Sequence, residues 1–210
     1  MTNPFDDKAA TWDEDETKTG RARRVADAVA DVIDLRGDES VLEYGAGTGL
    51  LTQALGERVG DPTLADSSAG MRDVLRRKID DGALPAAAQV WDLDLAHDDV
   101  PADRFDLVTT LLVLHHIPQL TRVLEGFHEL LEPGGHVAIA DLDEEDGSFH
   151  DHFEGFAGHN GFNRESLGES LRAAGFVDVR FTDCGVLQKG DREFGIFLAT
   201  ARKPEGHGSR

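Results

Sequence analysis

"VLEYGAGTGLL", Val41 to Leu51, decides how the rest of this chain is read. A short apolar run, carrying one carboxylate at Glu43, leads directly into three alternate glycines, Gly45, Gly47 and Gly49. Glycine loses more conformational freedom on ordering than any other residue, so three in five positions mark backbone that bends sharply or approaches something closely. "ESVLEY" before them reads as a buried strand, and "GLLTQALGERV" after them restarts helical spacing. The unit is strand, glycine turn, helix.

The same alternation extends outward in both directions. "PTLADSS" and "AGMRDVLRRKID" read as a second strand and helix, and "AAQVWDLD" as a third strand. "RFDLVTTLLVL" has the long apolar run of a strand buried on both faces. "LTRVLEGFHELL" is a helix stopped by "EPGG", Glu132–Gly135, before a fifth strand, "GHVAIADLD". Upstream, "RARRVADAVADVIDL" from Arg21 puts Val25, Ala28, Val29, Val32 and Ile33 on one helical face. Downstream come a helix, "RESLGESLRAAGF", and two late strands, "VDVRFTDC" and "FGIFLATAR". Strands alternating with helices predict an α/β doubly wound, mostly parallel sheet. "GVLQKGDRE", between the last two strands, has no room for a crossover, so that pair is expected to be antiparallel. The expected division is one domain over 21–202, a polar segment over 1–20 that is a possible lid, and a disordered tail over 203–210. Trp12 in that first segment is read as part of a lid or as a core anchor.

Composition excludes some functions. The formal net charge of −20 repels phosphate backbones, so nucleic acid is not expected as substrate. "RRK" at Arg76–Lys78, followed by Asp80 and Asp81, is a solvated helix face rather than a binding patch. No apolar run approaches the roughly 20 residues that span a bilayer. The opening "MTNPFDDKAATWDEDE" is acidic and does not read as a secretory signal, and the single cysteine, Cys184, fits a reducing cytoplasm. Oligomeric state leaves no signature.

Ligands of such sheets bind outside the carboxyl ends of the strands, which places a site at the glycine turn. A dinucleotide site would show G-x-G-x-x-G, but here the spacing is G-x-G-x-G and Leu50 stands where the third glycine would be. Glu43, just before the turn, repels a pyrophosphate and attracts a cation. The pattern suits a ligand with a positive end and no phosphate. Asp66, 21 residues after Gly45, ends the second strand and can accept from both hydroxyls of a ribose, each charge-assisted bond being worth about 1.5–3 kcal/mol. Asp92, after the third strand, is placed to meet an adenine amino group.

These residues carry a family resemblance. The chain resembles the class I S-adenosylmethionine-dependent methyltransferases, in particular the small single-domain group related to ubiquinone/menaquinone-type methyltransferases. "VLEYGAGTGLLTQAL", "LADSSAGM", "WDLDL", "RFDLVTTLLVLHHI" and "LLEPGGHVAIADLD" look like the family's successive motifs. The resemblance implies a Rossmann-like seven-stranded sheet of order 3-2-1-4-5-7-6 with strand seven antiparallel and helices on both faces. It implies S-adenosylmethionine as cofactor and S-adenosylhomocysteine as product. Gly45, Ala46 and Gly47 would pass the methionine moiety along their backbone, a Cβ on any of the turn's glycines would stand in the cofactor's place, and Glu43 would orient the turn. Asp66 would hold the ribose, Ser67 and Met71 would flank the adenine, Asp92 would meet its amino group and Leu93 would pack on its face. Leu111 would lie beside the sulfonium.

On the acceptor side, His115 and His116 follow the fourth strand, and "DLDEEDGSFHDHF", Asp141 to Phe153, follows the fifth, with His159 beyond. His116 and His150 are the candidate catalytic bases, while Trp12, His115, Asp141, His152 and His159 are candidate pocket residues. The other reading of His115 or His116 is as a backbone cap in the turn that enters the next helix. Phe149, Phe153, Phe156 and Phe162 either line an apolar acceptor site or belong to the core. No metal is expected, since His150 and His152 are two apart and no H-E-x-x-H occurs. The expected activity is methyl transfer to a small-molecule acceptor by in-line displacement. The alternative is a non-catalytic adenosyl-cofactor-binding regulatory or partner subunit.

Overall fold

A computed structural model describes residue 3 and residues 5–151 and 155–206. Seven strands form one sheet: β1 Val41–Tyr44, β2 Pro62–Ala65, β3 Gln89–Trp91, β4 Phe105–Leu111, β5 Leu131–Leu142, β6 Val177–Lys189 and β7 Arg192–Arg202. Their order is β3-β2-β1-β4-β5-β7-β6, with β7 antiparallel to both neighbours and the β1–β5 pairings parallel, as the resemblance implied. Among the described residues five α-helices accompany them: α1 Glu16–Val32, α2 Leu50–Leu55, α3 Ala69–Asp80, α4 Leu120–Leu130 and α5 Arg164–Ala173.

Alternation along the central strands separates two cores. Leu42, Val108, Val137, Ile139, Phe197 and Ala199 face α4 and α5, where Val123, Leu124, Phe127, Leu167 and Leu171 meet them. Val41, Leu107, Ala138, Ala140, Ile196 and Leu198 face α1 and α2, against Val25, Val29, Leu51 and Leu55. Successive strand side chains point to opposite faces, so a strand covered on both sides must be apolar throughout.

Four boundaries differ from the sequence reading. α1 begins at Glu16, because Asp15 caps it by accepting the Thr17 N–H at 3.0 Å; the expected break at residue 20 falls inside the helix. Its buried stripe is Ala22, Val25, Ala26 and Val29, while Ile33 is buried just past its end in extended backbone. "GVLQKGDRE" is no loop: β6 and β7 run on through it and pair Lys189 with Arg192 around a tight turn at Gly190. The tail starts later than 203, since Lys203 exchanges backbone hydrogen bonds with Gly134 and Gly135. Residues 207–210 of the expected tail lie outside the described residues.

Before α1, a 3-10 segment at Asp6–Glu14 lies over the carboxyl edge of the sheet. The Asp6 carboxylate accepts from Ser68 Oγ at 2.6 Å and from the Gly70 N–H at 3.0 Å, at the start of α3. Asp13 accepts from Thr48 Oγ1 at 2.5 Å and pairs with Lys78. Phe5 sets its ring edge against His116, with centroids 5.4 Å apart.

Candidate active site

The turn between β1 and α2 takes positive φ at all three glycines, 67° at Gly45, 56° at Gly47 and 79° at Gly49. What stands before each differs. A Cβ on Gly45 would come within 2.5 Å of a Val113 methyl, and one on Gly49 within 2.9 Å of Leu75 Cδ2. A Cβ on Gly47 would meet only Met71 Sδ, at 4.0 Å. The expectation that every Cβ here would displace a ligand is therefore corrected: Gly45 and Gly49 make room for the protein's own side chains, and Gly47 alone faces open space.

Glu43 lies beneath the turn, fully enclosed, and accepts from the Thr52 N–H at 3.0 Å and from the Thr52 hydroxyl. It thereby satisfies a donor in the first turn of α2, where a carboxylate also meets the positive helix end. Burial pushes its pKa up to about 7, against the lowering effect of the Thr52 hydrogen bonds. Ala46 is buried, its N–H donating to the Ala65 carbonyl at 2.9 Å, and it packs with Leu64, Leu75 and Leu84. Asp66 accepts from the Gly47 N–H through Oδ2 and from the Ser68 N–H through Oδ1, both at 2.8 Å. It thus ties the glycine turn to the start of α3, and burial raises its pKa. Each of its oxygens keeps a further lone pair for hydroxyl donors.

Around the expected adenine position the structure adds a residue that the sequence reading missed. Arg72 spans the ends of β2 and β3: it meets both oxygens of Asp92 at 2.8 Å and donates to the Asp66 carbonyl. Asp92 is exposed, and its carboxylate is held by that fork. Ser67 is exposed and accepts from Asn3 Nδ2, while Met71 is buried beneath Gly47. Leu93 is buried in the core facing α4 and α5, so the contact with an adenine face expected of it is not available in this conformation. Leu111 ends β4 half-buried against the α1–α2 core. Leu112 follows with φ of 56°, a left-handed backbone that a branched side chain takes at a cost, and its N–H is held by the Ala140 carbonyl at 2.8 Å.

Beyond that bend, three imidazoles meet. His115 and His116 come from the 3-10 turn after β4, and His150 from the one after β5. Ring centroids are 4.1 Å apart for His115–His116 and 5.1 Å for both contacts with His150. Asp141, wholly buried at the end of β5, takes the His115 Nδ1–H at 2.6 Å and also accepts the N–H groups of Leu114, His115 and Leu142. It lines no pocket, contrary to expectation; it stands behind His115 and fixes that ring. His116 is depressed to about 3 by burial and by its two histidine neighbours, so it is neutral and a weak proton acceptor.

Other expected pocket residues are placed apart. His159 donates its backbone N–H to the His115 carbonyl and its Nε2–H to the Ile117 carbonyl, at 2.7 and 3.0 Å, and so braces the loop instead of lining a cavity. Trp12 packs within the N-terminal segment, beside Phe5 and under the Lys18 ammonium at 3.8 Å. His152 and Phe153 lie outside the described residues. Of the other phenylalanines, Phe162 is core, whereas Phe149 and Phe156 wall the histidines, Phe156 stacking on His150 at 3.8 Å.

A doubly wound sheet with a glycine turn after its first strand and a carboxylate ending its second is the Rossmann-like architecture, with a site suited to an adenosyl ligand. Comparison with known proteins narrows this. A family model described as a methyltransferase domain matches residues 18–180. A ubiquinone biosynthesis O-methyltransferase of Coxiella burnetii is 31% identical over 110 residues, 52% of this chain and 46% of that protein. An uncharacterized methyltransferase of Schizosaccharomyces pombe is 32% identical over 141 residues, 61% and 50% respectively. The chain spans about half the length of the curated relatives it matches. Among solved structures, the methyltransferase in a Haloferax volcanii complex with a methyltransferase activator is similar with a TM-score of 0.80 and 19% identity, over 98% of this chain and 100% of that one. The N-methyltransferase NodS of Bradyrhizobium japonicum, in complex with S-adenosylhomocysteine, is similar with a TM-score of 0.66 and 19% identity, over 97% and 89%. These two likenesses speak to the fold. The chain belongs to the methyltransferase-domain family and has the fold of the class I S-adenosylmethionine-dependent methyltransferases. No described helix is long and apolar enough to cross a membrane.

Proposed function

We propose that this protein transfers a methyl group from S-adenosylmethionine to a small-molecule acceptor, in the cytoplasm, by in-line displacement. One observation carries the reading: the only glycine of the turn that faces open space, Gly47, is bonded through its N–H to Asp66, whose remaining lone pairs suit ribose hydroxyls. Those residues fit the methionine and ribose portions of S-adenosylmethionine. When bound, the cofactor supplies an electrophilic methyl group on a sulfonium.

The chain's own work is binding, orientation and exclusion of water. The backbone of Gly45, Ala46 and Gly47 would hold the methionine portion, and Asp66 the ribose. Ser67, Met71 and Asp92, the last steadied by Arg72, would border the adenine, with Leu111 on the sulfonium side. His115, His116 and His150, walled by Phe149 and Phe156, would border the acceptor next to it. They lie close to the turn because Val113, two residues before His115, touches Gly45. His116 and His150 orient the acceptor by hydrogen bonding, a role that needs no strongly basic imidazole. Holding a nucleophile about 3–3.5 Å from the methyl carbon in a dry site supplies most of such a rate enhancement. Residues 5–14 would act as the lid, since Asp6, Asp13 and Phe5 already bridge α3, the glycine turn and His116. The net charge of −20 supports a small acceptor over a nucleic acid.

Calorimetric titration with S-adenosylmethionine and S-adenosylhomocysteine, with NADH as control, tests the cofactor site. Binding of the adenosyl pair alone is expected, and turnover is then sought over panels of hydroxyl- and amine-bearing small molecules. Binding without turnover on any small-molecule class, but with turnover on protein or RNA, would overturn the acceptor reading.

A further inference from the structure

The histidine cluster has a property that acceptor binding does not explain. Asp141 already accepts four hydrogen bonds, three of them from backbone, and the fourth fixes the proton of His115 on Nδ1. His115 Nε2 is therefore left with a bare lone pair. That nitrogen is buried, His115 being only 1% exposed, and it has no hydrogen-bond partner among the described residues. Leaving a buried acceptor unpaired is costly, so its persistence calls for an occupant. One ring nitrogen from each of His115, His116 and His150 can be chosen so that all three lie within 4.8 Å of one another. Around them stand the rings of Phe5, Phe149 and Phe156, which supply no proton donor.

We propose that His115, His116 and His150 together bind one divalent transition-metal ion of the zinc class. Three features of the site argue for this. Neutral imidazole is the commonest protein ligand for such ions, and a histidine trio with one position left over is the donor set of a zinc site open to a further ligand. The Asp141–His115 pair supplies the carboxylate that characteristically sits behind a metal-bound histidine, fixing its tautomer and raising its basicity. All-nitrogen donors without a carboxylate oxygen in the inner set select zinc, cobalt, nickel or copper over magnesium and calcium. Zinc–nitrogen bonds of about 2.0–2.1 Å set tetrahedral ligand nitrogens about 3.4 Å apart, so metal binding would draw His116 and His150 inward from separations of up to 4.8 Å while Asp141 holds His115.

The metal would sit among the same rings that border the acceptor, where it would take over the orienting role given to His116 and His150, and the site is tested without turnover. Untagged protein is stripped with a chelator, dialysed and titrated with cobalt(II), whose visible absorption reports coordination by nitrogen in a distorted tetrahedral field. The expected result is a saturable spectrum at one equivalent, abolished by zinc. His116→Ala and His150→Ala should each weaken cobalt binding at least tenfold, and Asp141→Asn about 10- to 100-fold. His97→Ala and His128→Ala, remote from the cluster, should leave the titration unchanged. Circular dichroism shows which variants remain folded, and His116, half-buried, is the one least exposed to failure on that ground. No saturable cobalt spectrum in the wild-type protein, or one that survives both His116→Ala and His150→Ala, overturns the proposal. Titration of the same stripped protein with S-adenosylhomocysteine keeps the two readings apart: cofactor binding with no metal site removes this inference alone, and a metal site with no cofactor binding removes the other alone.

Discussion

The two halves of the candidate site, at the ends of β1 and β2 and at the ends of β4 and β5, are built in opposite ways. The first is mostly backbone: glycine amides, one carboxylate bonded to two N–H groups, and a second carboxylate buried under a helix start. Its residues lie within 25 or so positions of one another, and each owes its place to a local conformational demand. The second half is side chains from the two stretches that follow β4 and β5, brought together by β4 lying beside β5. A site made of backbone tolerates little change of shape; a site made of side chains tolerates changes of chemistry more readily.

That contrast can be broken most sharply at the glycines. Gly45→Ala combines a left-handed φ with a methyl 2.5 Å from Val113, and is expected to destabilise the fold by about 3 kcal/mol or more in urea unfolding. Gly47→Ala meets no such obstacle and should cost about 1–2 kcal/mol from φ alone, while weakening S-adenosylhomocysteine binding more than any loss of stability explains. Equal effects at the two positions would remove the distinction between protein-facing and ligand-facing glycine.

Glu43 gives the next largest effect. Its pKa is raised by burial from 4.5 to about 7, so between those pH values the folded state keeps a proton that the unfolded chain has released. Stability contributed in this way is complete below pH 4.5 and is lost as pH rises to 7. The difference in unfolding free energy between wild type and Glu43→Gln should shift by about 3 kcal/mol across that window, with wild type losing ground as pH rises. A constant difference would place the carboxyl in a wetter setting than its burial indicates.

Asp66→Ala sharpens the comparison by acting on both binding and structure. Loss of the ribose acceptor should weaken cofactor binding about 10- to 100-fold, and loss of the bonds to Gly47 and Ser68 should lower the thermal midpoint as well. Unchanged affinity would remove Asp66 from the cofactor site. The smallest effect is expected from Asp6→Ala, which frees the N-terminal segment from α3. Hydrogen exchange over residues 5–14 should quicken and cofactor association should accelerate, with little change in the unfolding midpoint. Slower association would mean that the segment helps to build the site instead of covering it.

Much of the first half was legible because its signals are local. Alternate glycines after an apolar run announce a turn, and an aspartate closing the next strand announces a polar end. Even there, neighbours distant in sequence changed the meaning of particular residues. Val113 explains Gly45, Leu75 explains Gly49, and Arg72 takes the carboxylate of Asp92. Leu93 looked like a surface for a flat ring and is core, because apolar character does not say which of two buried layers a side chain joins.

The sequence by itself determined the element types, the parallel sheet with its antiparallel end, the glycine turn and the carboxylate at Asp66. Hydrophobic periodicity, glycine placement and connection length are short-range properties that any fold of this chain must respect. Only the tertiary structure decided that His115 and His116 meet His150, that Asp141 supports a histidine instead of lining a pocket, and that Asp6 and Asp13 clasp the carboxyl edge of the sheet. Those pairings depend on the parallel alignment of β4 with β5 and on where an acidic segment finds free N–H and ammonium groups. Through-space encounters of that kind leave no periodic trace along a chain.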